Sequence, residues 1–180
     1  MEIIETGFDG LILINPRVFK DNRGYFFESY NQQKFLEAGI VDEFTQDNQS
    51  LSSKGIVRGL HFQAPPHAQS KLVRVIKGAV LDVVVDIRKS SRTYGKHYAV
   101  ELTEANFLML YIPKGFAHGF RTLEDNTIFS YKCSDVYHPE TEGGLKWNDP
   151  EFKIDWQIED PILSDKDKFY ESFNLFISPF

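Results

Sequence analysis

Apolar and polar residues alternate along much of the 180-residue chain, which is the two-residue period of β-strands. The clearest stretch runs from Ser70 to Ile87 and reads SKLVRVIKGAVLDVVVDI, two β-rich runs separated by Lys77 and Gly78. Because a glycine-containing pair between two such runs is typical of a hairpin, we predict a tight turn there. Further short strand-like runs occupy 11–14, 25–30, 56–62, 98–102, 107–112 and 127–132.

The best candidate for a helix is the segment 31–38, with Asn31 as the N-cap and Gly39 as the stop. Many short strands separated by turn residues predict an antiparallel sandwich or barrel rather than a parallel α/β sheet. We therefore expect an all-β chain with short flanking helices. A single domain over 1–180 is expected, with an N-terminal arm to about 44, a barrel to about 135 and a C-terminal segment wrapped over it.

Composition fits a globular domain, since 42% of residues are hydrophobic and 26% are charged. The formal net charge of -6 argues against a nonspecific nucleic-acid binder, which needs a basic face. A small anionic ligand remains compatible, because a few arginines in one cleft can reverse the local sign of the potential.

Cellular location is indicated by the cysteine content and by the amino terminus. Cys133 is the only cysteine, so no intrachain disulfide can form, and a reducing cytoplasm is expected. The acidic start MEIIETGFDG is unlike a signal peptide, and the longest apolar runs are too short to cross a membrane. We expect a cytoplasmic protein with neither a membrane nor nucleic acid as partner.

Two histidines lie beside breaks in strand-like runs. His61 belongs to RGLHFQ, which precedes Pro65-Pro66, and His118 belongs to IPKGFAHGF. A lone histidine in a strand is more often a hydrogen-bonded core residue, but two in such settings favour a shared site. The segment LSDKDKF reads by itself as a solvated polar loop.

The pattern Pro-x-Gly-x-x-His at 113–118 is similar to the second motif of the cupin superfamily, an antiparallel jelly-roll barrel. Metal-binding cupins supply a His-x-His pair and a glutamate from their first motif, where this chain has His61-Phe62-Gln63. Two imidazoles without a carboxylate partner are a poor ligand set for iron, zinc or manganese. We therefore predict no metal, and a metal-dependent cupin enzyme stays a less favoured alternative.

A closer resemblance covers nearly the whole chain. It is carried by six segments: PRVFKDNRGYFFE (16–28), QDNQS (46–50), VRGLHFQAPPHAQSKLVRVIKG (57–78), IPKGFAHGF (112–120), YKCSDVYHPETEGGLKWNDP (131–150) and LSDKD (163–167). In order and spacing they resemble the dTDP-4-dehydrorhamnose 3,5-epimerases. The resemblance implies a cupin-like jelly roll. It also implies epimerisation at carbons 3 and 5 of dTDP-4-dehydro-6-deoxy-D-glucose, giving dTDP-4-dehydro-L-rhamnose in dTDP-L-rhamnose biosynthesis, with no cofactor.

The resemblance assigns four catalytic residues. His61 corresponds to the general base and Asp167 to the carboxylate that holds its imidazole, as in a His–Asp pair of a triad. Lys71 would stabilise the enolate oxygen, and Tyr131 would return a proton from the opposite face. Independently of the resemblance, alternation along the strand puts Lys71 on the same face as Val73 and Val75, inside the barrel. A lysine in such a position usually has an anionic partner or ligand.

The resemblance also assigns binding residues. The diphosphate contacts would be Arg23 and Arg58, the sugar contacts Gln46, Asn48 and His118, and the thymidine contacts Phe26, Glu28, Tyr137 and Glu142, with Lys166 near the nucleotide. Strict alternation puts residues 58 and 61 on opposite faces, so both reach one ligand only if a bulge lies between them. Residues 23–28 would reach the pocket of a second subunit, which implies a homodimer with an exchanged N-terminal strand.

Other functions stay open from the sequence. One is inversion of a single carbon of a related nucleotide-linked 4-keto sugar, because specificity depends on the shape of the pocket. Another is a non-catalytic sugar-nucleotide binding module, which would have no use for a base, an acid and an enolate-stabilising lysine together.

Overall fold

The computed structural model describes all residues from Met1 to Phe180. It contains thirteen strands: β1 Glu2–Glu5, β2 Ile12–Asn15, β3 Phe19–Asp21, β4 Gly24–Phe26, β5 Gln46–Ser52, β6 Val57–Gln63, β7 Lys71–Lys77, β8 Ala79–Asp86, β9 His97–Thr103, β10 Met109–Ile112, β11 Phe116–Thr122, β12 Thr127–Cys133 and β13 Glu142–Gly144. The helices are short: α1 Gln32–Glu37, α2 Asp165–Lys168 and 3₁₀ turns at Pro139–Thr141 and Phe173–Leu175.

Two large antiparallel sheets form the barrel. The six-stranded sheet has the order β1-β2-β10-β7-β12-β5, and the five-stranded sheet has the order β13-β6-β11-β8-β9. Strands β3 and β4 pair only with each other. Side chains from both large sheets, including Val73, Phe129, Val84 and Phe120, meet in one core. The architecture confirms the expected all-β, cupin-like jelly roll with short flanking helices.

The predicted hairpin at Lys77 and Gly78 is wrong. Strand β7 pairs with β10 and β12 in one sheet, whereas β8 pairs with β9 and β11 in the other. The chain therefore crosses between the sheets at Gly78, which has φ +79°. A methyl group on this residue would lie 2.5 Å from Thr127 Oγ1, so the crossing requires glycine for both its backbone angle and its space.

Strand β8 is buried along its whole length. Val80 and Val84 point into the core between the sheets, while Val83 and Val85 point outward. The outward side chains are covered by residues of the C-terminal segment: Leu145, Phe152 and Trp156. This cover explains why β8 has a nearly continuous apolar sequence instead of alternating with polar residues.

Helix α1 covers the outer face of the other sheet. Asn31 caps it by accepting a hydrogen bond from the Lys34 amide, as the sequence predicts, and the chain turns away at Gly39. Phe35 packs against Ile14 and Met109 of the six-stranded sheet. Both large sheets thus have a second apolar layer outside the barrel.

The N-terminal strands depart in part from expectation. The run at 25–30 forms strand only to Phe26, and β1, β3 and β5 have no counterpart among the predicted strands. Strand β2 pairs with β10 of the same chain. The exchange of an N-terminal strand and the three-part division of one domain remain predictions. No helix is long and apolar enough to span a membrane.

Replacing Gly78 by alanine tests the crossing between the sheets. We expect Gly78→Ala to lower the free energy of unfolding by about 2–4 kcal/mol, through a left-handed backbone angle and overpacking against Thr127. Gly7→Ala is the matched control, since Gly7 has φ +82° but open space around it, and should cost only about 1–2 kcal/mol. Urea unfolding of both variants measures the difference, and equal losses would contradict the packing argument.

Candidate active site

A cavity of about 240 Å³ lies between the two large sheets. Its chemically active side chains come from three sources: the five-stranded sheet with Arg58, His61 and His118, the six-stranded sheet with Lys71 and Tyr131, and helix α2 with Asp167. A larger hollow of about 980 Å³ beside β1 contains none of them. We therefore assign the site by its chemistry and not by size.

A bulge in β6 turns Arg58 and His61 to the same side. His61 pairs with His118 and Arg58 with Phe120, so three steps along β6 match two along β11. This is the irregularity that the sequence analysis required. It depends on the close contact of two glycines, because a methyl group on Gly59 would lie 2.4 Å from the Gly119 Cα.

His61 and Asp167 form a direct hydrogen-bonded pair through His61 Nε2. The segment that carries Asp167 is not the solvated polar loop that its composition indicates. It forms helix α2, and Asp167 is only 2% exposed. Ser164 caps the helix by accepting from the Asp167 amide, and its hydroxyl donates to Asp167 Oδ2 at 2.8 Å. Both carboxylate oxygens are thus held, which fixes the imidazole opposite them.

Burial by itself raises the pKa of Asp167, but its hydrogen bonds outweigh this effect. The imidazole of His61, the Ser164 hydroxyl and the Gly59 amide all favour the carboxylate, so the pKa lies below the usual value for aspartic acid. Asp167 is therefore ionised at neutral pH, and it can stabilise a positive charge on His61.

His118 forms a second histidine–carboxylate pair deeper in the barrel. Its Nε2 lies 2.9 Å from Asp82 Oδ2 and 3.1 Å from Oδ1, and Asp82 has no exposed surface. Burial lowers the pKa of His118, although the charge of Asp82 opposes this. Because Cα atoms of His118 and His61 are directly opposed, both imidazoles point into the cavity from neighbouring strands.

The six-stranded sheet contributes a lysine amine and a phenol. Lys71 Nζ lies 6.0 Å from the centre of the Tyr131 ring. Burial lowers the pKa of Lys71, while the negative charges of Asp82 and Glu142 oppose the shift. Burial raises the pKa of Tyr131, so the phenol keeps its proton at neutral pH. The cavity thus has a protonated phenol on the wall facing His61.

Strand β5 places its alternate residues beside Tyr131. Asn48 is directly opposite Tyr131 in the ladder, and Gln46 is opposite Cys133. The two amides bond to each other, with Gln46 Nε2 3.2 Å from Asn48 Oδ1. Neither amide is among the side chains that form the wall of the cavity.

Three further residues from the predicted set meet outside the cavity. Tyr137 donates from its hydroxyl to Glu142 Oε2 at 2.7 Å, and Lys166 forms an ion pair with Glu142. Burial raises the pKa of Glu142, but hydrogen bonds from Lys166 and Tyr137 outweigh it and hold the pKa below its usual value. Gly144 of the same strand pairs with His61, which puts this cluster next to the His61–Asp167 pair.

The structure does not bring Arg23, Phe26 and Glu28 to the cavity of their own chain. Arg23 and Phe26 belong to the separate β3–β4 hairpin, where 86% of the Arg23 side chain and 67% of Phe26 are exposed. Arg23 bonds only to Asp21, and Glu28 bonds to Lys34 and Asn31. By contrast, Arg58 lines the cavity and donates to Ser52 Oγ at 3.2 Å.

Sequence reasoning missed several residues of the site. Asp82 could have been noticed, because an aspartate inside an otherwise apolar strand needs a partner. Ser164 has the three-residue spacing to Asp167 that is typical of a helix N-cap. Ser50 gives no such signal. It lines the cavity with a buried hydroxyl that has no hydrogen-bond partner in the protein.

With this geometry described, comparison with known proteins identifies the family. The family model described as dTDP-4-dehydrorhamnose 3,5-epimerase matches residues 5–174. The chain belongs to the dTDP-4-dehydrorhamnose 3,5-epimerase family. The dTDP-4-dehydrorhamnose 3,5-epimerase of Methanothermobacter thermautotrophicus is 49% identical over 168 residues, covering 92% of this chain and 90% of the relative.

Two solved structures of related epimerases have the same fold. The dTDP-6-deoxy-D-glucose-3,5-epimerase of Legionella pneumophila, in complex with dTDP-4-keto-L-rhamnose, is 45% identical with a TM-score of 0.94 and covers 98% of this chain and 94% of its own. A 3'-monoepimerase of Streptomyces bikiniensis in complex with dTDP-quinovose is 30% identical with a TM-score of 0.87, covering 92% and 84%. The epimerase fold therefore includes enzymes that differ in how many carbons they invert.

The lowered pKa of Asp167 makes an acid-dependent contribution to stability. A carboxyl whose pKa is lower in the folded state than in the unfolded state stabilises the folded protein at pH values above its unfolded pKa of about 3.9. This stabilisation disappears as the pH falls through the pKa of the folded state. We expect Asp167→Asn to cost about 1–3 kcal/mol at pH 6 and progressively less below about pH 4. Urea unfolding at pH 3–6 measures this.

Asp165→Asn is the control on the same helix, because the Asp165 side chain is 92% exposed. Its effect should be small throughout this pH range. A difference between wild type and Asp167→Asn that stays constant with pH would mean that the carboxyl titrates equally in both states.

Proposed function

We propose that this chain inverts carbons 3 and 5 of dTDP-4-dehydro-6-deoxy-D-glucose, forming dTDP-4-dehydro-L-rhamnose as a step of dTDP-L-rhamnose biosynthesis. One observation carries the proposal: a histidine–carboxylate pair and a protonated phenol enter the same cavity from opposite walls. Inversion next to a ketone needs this arrangement, because one group removes a proton from one face and another returns it to the other face.

His61 is the proposed base. Asp167 occupies its Nε2, so Nδ1 is left to accept the proton from carbon 3 or carbon 5. The ketone at carbon 4 makes both hydrogens acidic and takes up the electron pair as an enolate, so the reaction requires neither redox chemistry nor a cofactor. Asp167 stays ionised and stabilises the imidazolium that forms.

Lys71 and Tyr131 complete the proposed reaction. The ammonium of Lys71 is preorganised on the six-stranded sheet to stabilise the negative oxygen of the enolate. Tyr131, whose pKa is raised by burial, has a proton to give to the enolate carbon from the wall opposite His61. The bond from carbon to hydrogen broken on one face is thus replaced by one formed on the other.

The cavity size indicates how the substrate lies. A volume of about 240 Å³ is below the roughly 300–1,000 Å³ of pockets that enclose a whole drug-sized ligand, so we place only the sugar inside. Its hydroxyls would meet His118 in the wall of the cavity, whereas Asn48 and Gln46, which lie outside that wall, would meet the ligand where it leaves the cavity. Arg58 would bind the diphosphate at the entrance, where the guanidinium fork suits phosphate oxygens.

The nucleoside would lie outside the cavity, on the cluster of Tyr137, Glu142 and Lys166. Tyr137 is 53% exposed and offers a ring on which a thymine can stack. The ammonium of Lys166 and the carboxylate of Glu142, paired beside Tyr137, would offer a hydrogen-bond donor and an acceptor to the thymine. This arrangement explains why polar residues that contribute nothing to the core are held together beside His61.

We also propose that the functional unit is a homodimer. Arg23, Phe26 and Glu28 are exposed and lie away from their own cavity, which supports their reaching the cavity of a second subunit. We place the enzyme in the cytoplasm, which agrees with a single cysteine that is buried and unpaired. The division into arm, barrel and wrapping segment belongs to the same proposal.

A second candidate function is inversion of one carbon only. It is favoured by the similarity to the 3'-monoepimerase of Streptomyces bikiniensis. A metal-dependent cupin reaction has less support in this cavity, because the side chain of Gln63 bonds to the backbone at His67 and Val136 and not to the imidazoles.

Deuterium incorporation tests the function and the base together. In heavy water, the wild-type protein should introduce deuterium at both carbons 3 and 5 of dTDP-4-dehydro-6-deoxy-D-glucose, as followed by proton NMR. His61→Asn should reduce both exchange rates by about 10²–10⁴-fold while dTDP binding stays within a few fold. Exchange at one carbon would identify the single-carbon enzyme, and undiminished exchange in His61→Asn would exclude His61 as the base.

Tyr131→Phe separates removal of the proton from its return. His61 can still remove a proton and return a deuteron on its own side, so we expect exchange to continue while net inversion falls by about 10²-fold or more. Loss of one hydroxyl barely alters packing, and far-UV circular dichroism should be unchanged. Equal decreases of both rates, measured on one sample, would show that another group returns the proton.

Mixing of inactive variants tests the homodimer. Arg23→Ala and His61→Ala should each be nearly inactive, but their mixture should recover about a quarter of wild-type activity, since half of the dimers are mixed and one of their two sites is intact. A mixture of His61→Ala and Asp167→Asn is the control, because it restores no site that has both an intact base and its carboxylate from one chain. No recovery in the first mixture, once subunit exchange is demonstrated by mass spectrometry, would mean that each site is built within one chain.

A further inference from the structure

Two histidines and an aspartate converge outside the catalytic cavity. His67 lies in the loop between β6 and β7, whereas Asp135 and His138 follow β12. Their nitrogen and oxygen ligand atoms all lie within 4.8 Å of one another. His67 Nδ1 is 3.3 Å from Asp135 Oδ2, and the two imidazole rings are parallel with their centres 3.5 Å apart.

The arrangement has the donors of a transition-metal site. Two imidazoles and one carboxylate are common ligands of zinc, with bonds of about 2.0–2.2 Å, and hard ions such as magnesium prefer all-oxygen sites. Glu140 Oε1 lies 3.0 Å from His138 Nδ1, so a second carboxylate borders the cluster. A water or Glu140 could complete four-coordination.

Metal binding requires a modest movement of the rings. An ion lies near the plane of each imidazole that binds it, so the parallel rings must tilt apart. Both histidine side chains are partly exposed, at 33% for His67 and 27% for His138. Tilting therefore displaces no packed core residues.

The backbones that carry these ligands are already held in place by two glutamines. Gln63 is 5% exposed, donates to His67 O at 2.7 Å and accepts from the His138 amide at 2.7 Å. Gln69 donates to Asp135 O at 2.7 Å. Side chains that fix ligand-bearing segments are the usual support of metal sites. Gln63 therefore positions both histidines without itself being a ligand.

We propose that His67, Asp135 and His138 bind one divalent transition-metal ion, with zinc as the matching ion, and that it ties the β6–β7 loop to the segment carrying Tyr137. This differs from the prediction of no metal, which considered only the pair His61 and Gln63 in the barrel. The ion takes no part in the epimerisation. Failure of this proposal therefore leaves the proposed function untouched, and the reverse also holds.

Calorimetric titration of the full-length, EDTA-treated protein with zinc chloride tests the site. We expect one ion per chain, a higher melting temperature with zinc, and no comparable binding of magnesium. His67→Ala, His138→Asn and Asp135→Asn should each weaken zinc binding at least about tenfold. Asp135→Asn is the most conservative of these, since the amide oxygen can still accept from the Val136 amide at 2.8 Å.

Two further histidine variants serve as controls. His97→Asn changes a histidine that bonds to Phe152 O elsewhere in the fold, and it should bind zinc like the wild type. His61→Asn tests the catalytic pair as a competing site and should also retain binding. No zinc binding by the wild type, undiminished binding in the three cluster variants, or loss of binding in His61→Asn instead would each overturn the proposal. Melting temperatures measured without metal show which variants are folded. If a histidine variant is unfolded, zinc binding by Asp135→Asn provides the test of the proposal.

Discussion

The fold depends on covering both faces of β8. Every residue of this strand is buried, so the five-stranded sheet cannot border water on either side of it. The opposing sheet covers one face, and Phe152 and Trp156 of the C-terminal segment cover the other. The same segment then pairs with Ile56 through Ile162 and continues into α2. Burial of apolar surface, rather than any polar attraction, thus brings Asp167 to His61.

The proposed chemistry depends on which side chains each sheet turns into the cavity. The β6 bulge turns Arg58 and His61 inward, and it needs the contact of Gly59 with Gly119. The facing sheet is regular at Tyr131, so its phenol points back across the cavity. His61 and Tyr131, the proposed base and acid, therefore lie on different sheets. Neither sheet alone has a site that could invert a carbon.

Much of this could be predicted from the sequence where the determinants are local. The two-residue period identified most barrel strands, Asn31 and Gly39 marked helix α1, and alternation required the bulge between Arg58 and His61. The turn at Gly78 was misassigned, because a strand's period does not reveal which sheet it joins. The jelly-roll architecture, the enzyme class and half of the 12 residues that line the cavity followed from the resemblance.

Features set by distant contacts could not be predicted. The composition of LSDKDKF indicates exposure, and only the tertiary contact with His61, 106 positions earlier in the chain, makes Asp167 a buried residue. His118, the partner of Asp82, is also distant in sequence, 36 positions further along the chain. The resemblance predicted that Arg23 binds the diphosphate, but in the structure of one chain its side chain is exposed to solvent. Long-range packing decides these cases, and periodicity contains no information about it.

The position of the covering segment has a consequence for biosynthesis. Ribosomes synthesise a chain from its amino end, so the barrel strands emerge well before Phe152 and Trp156, and Ser178, which donates to Ile87 O, emerges later still. Until then, the outer side of β8 is an exposed apolar surface on a nearly finished barrel. We therefore expect nascent chains to bind chaperones until this surface is covered, and truncated products that end before Phe152 to be degraded by proteases.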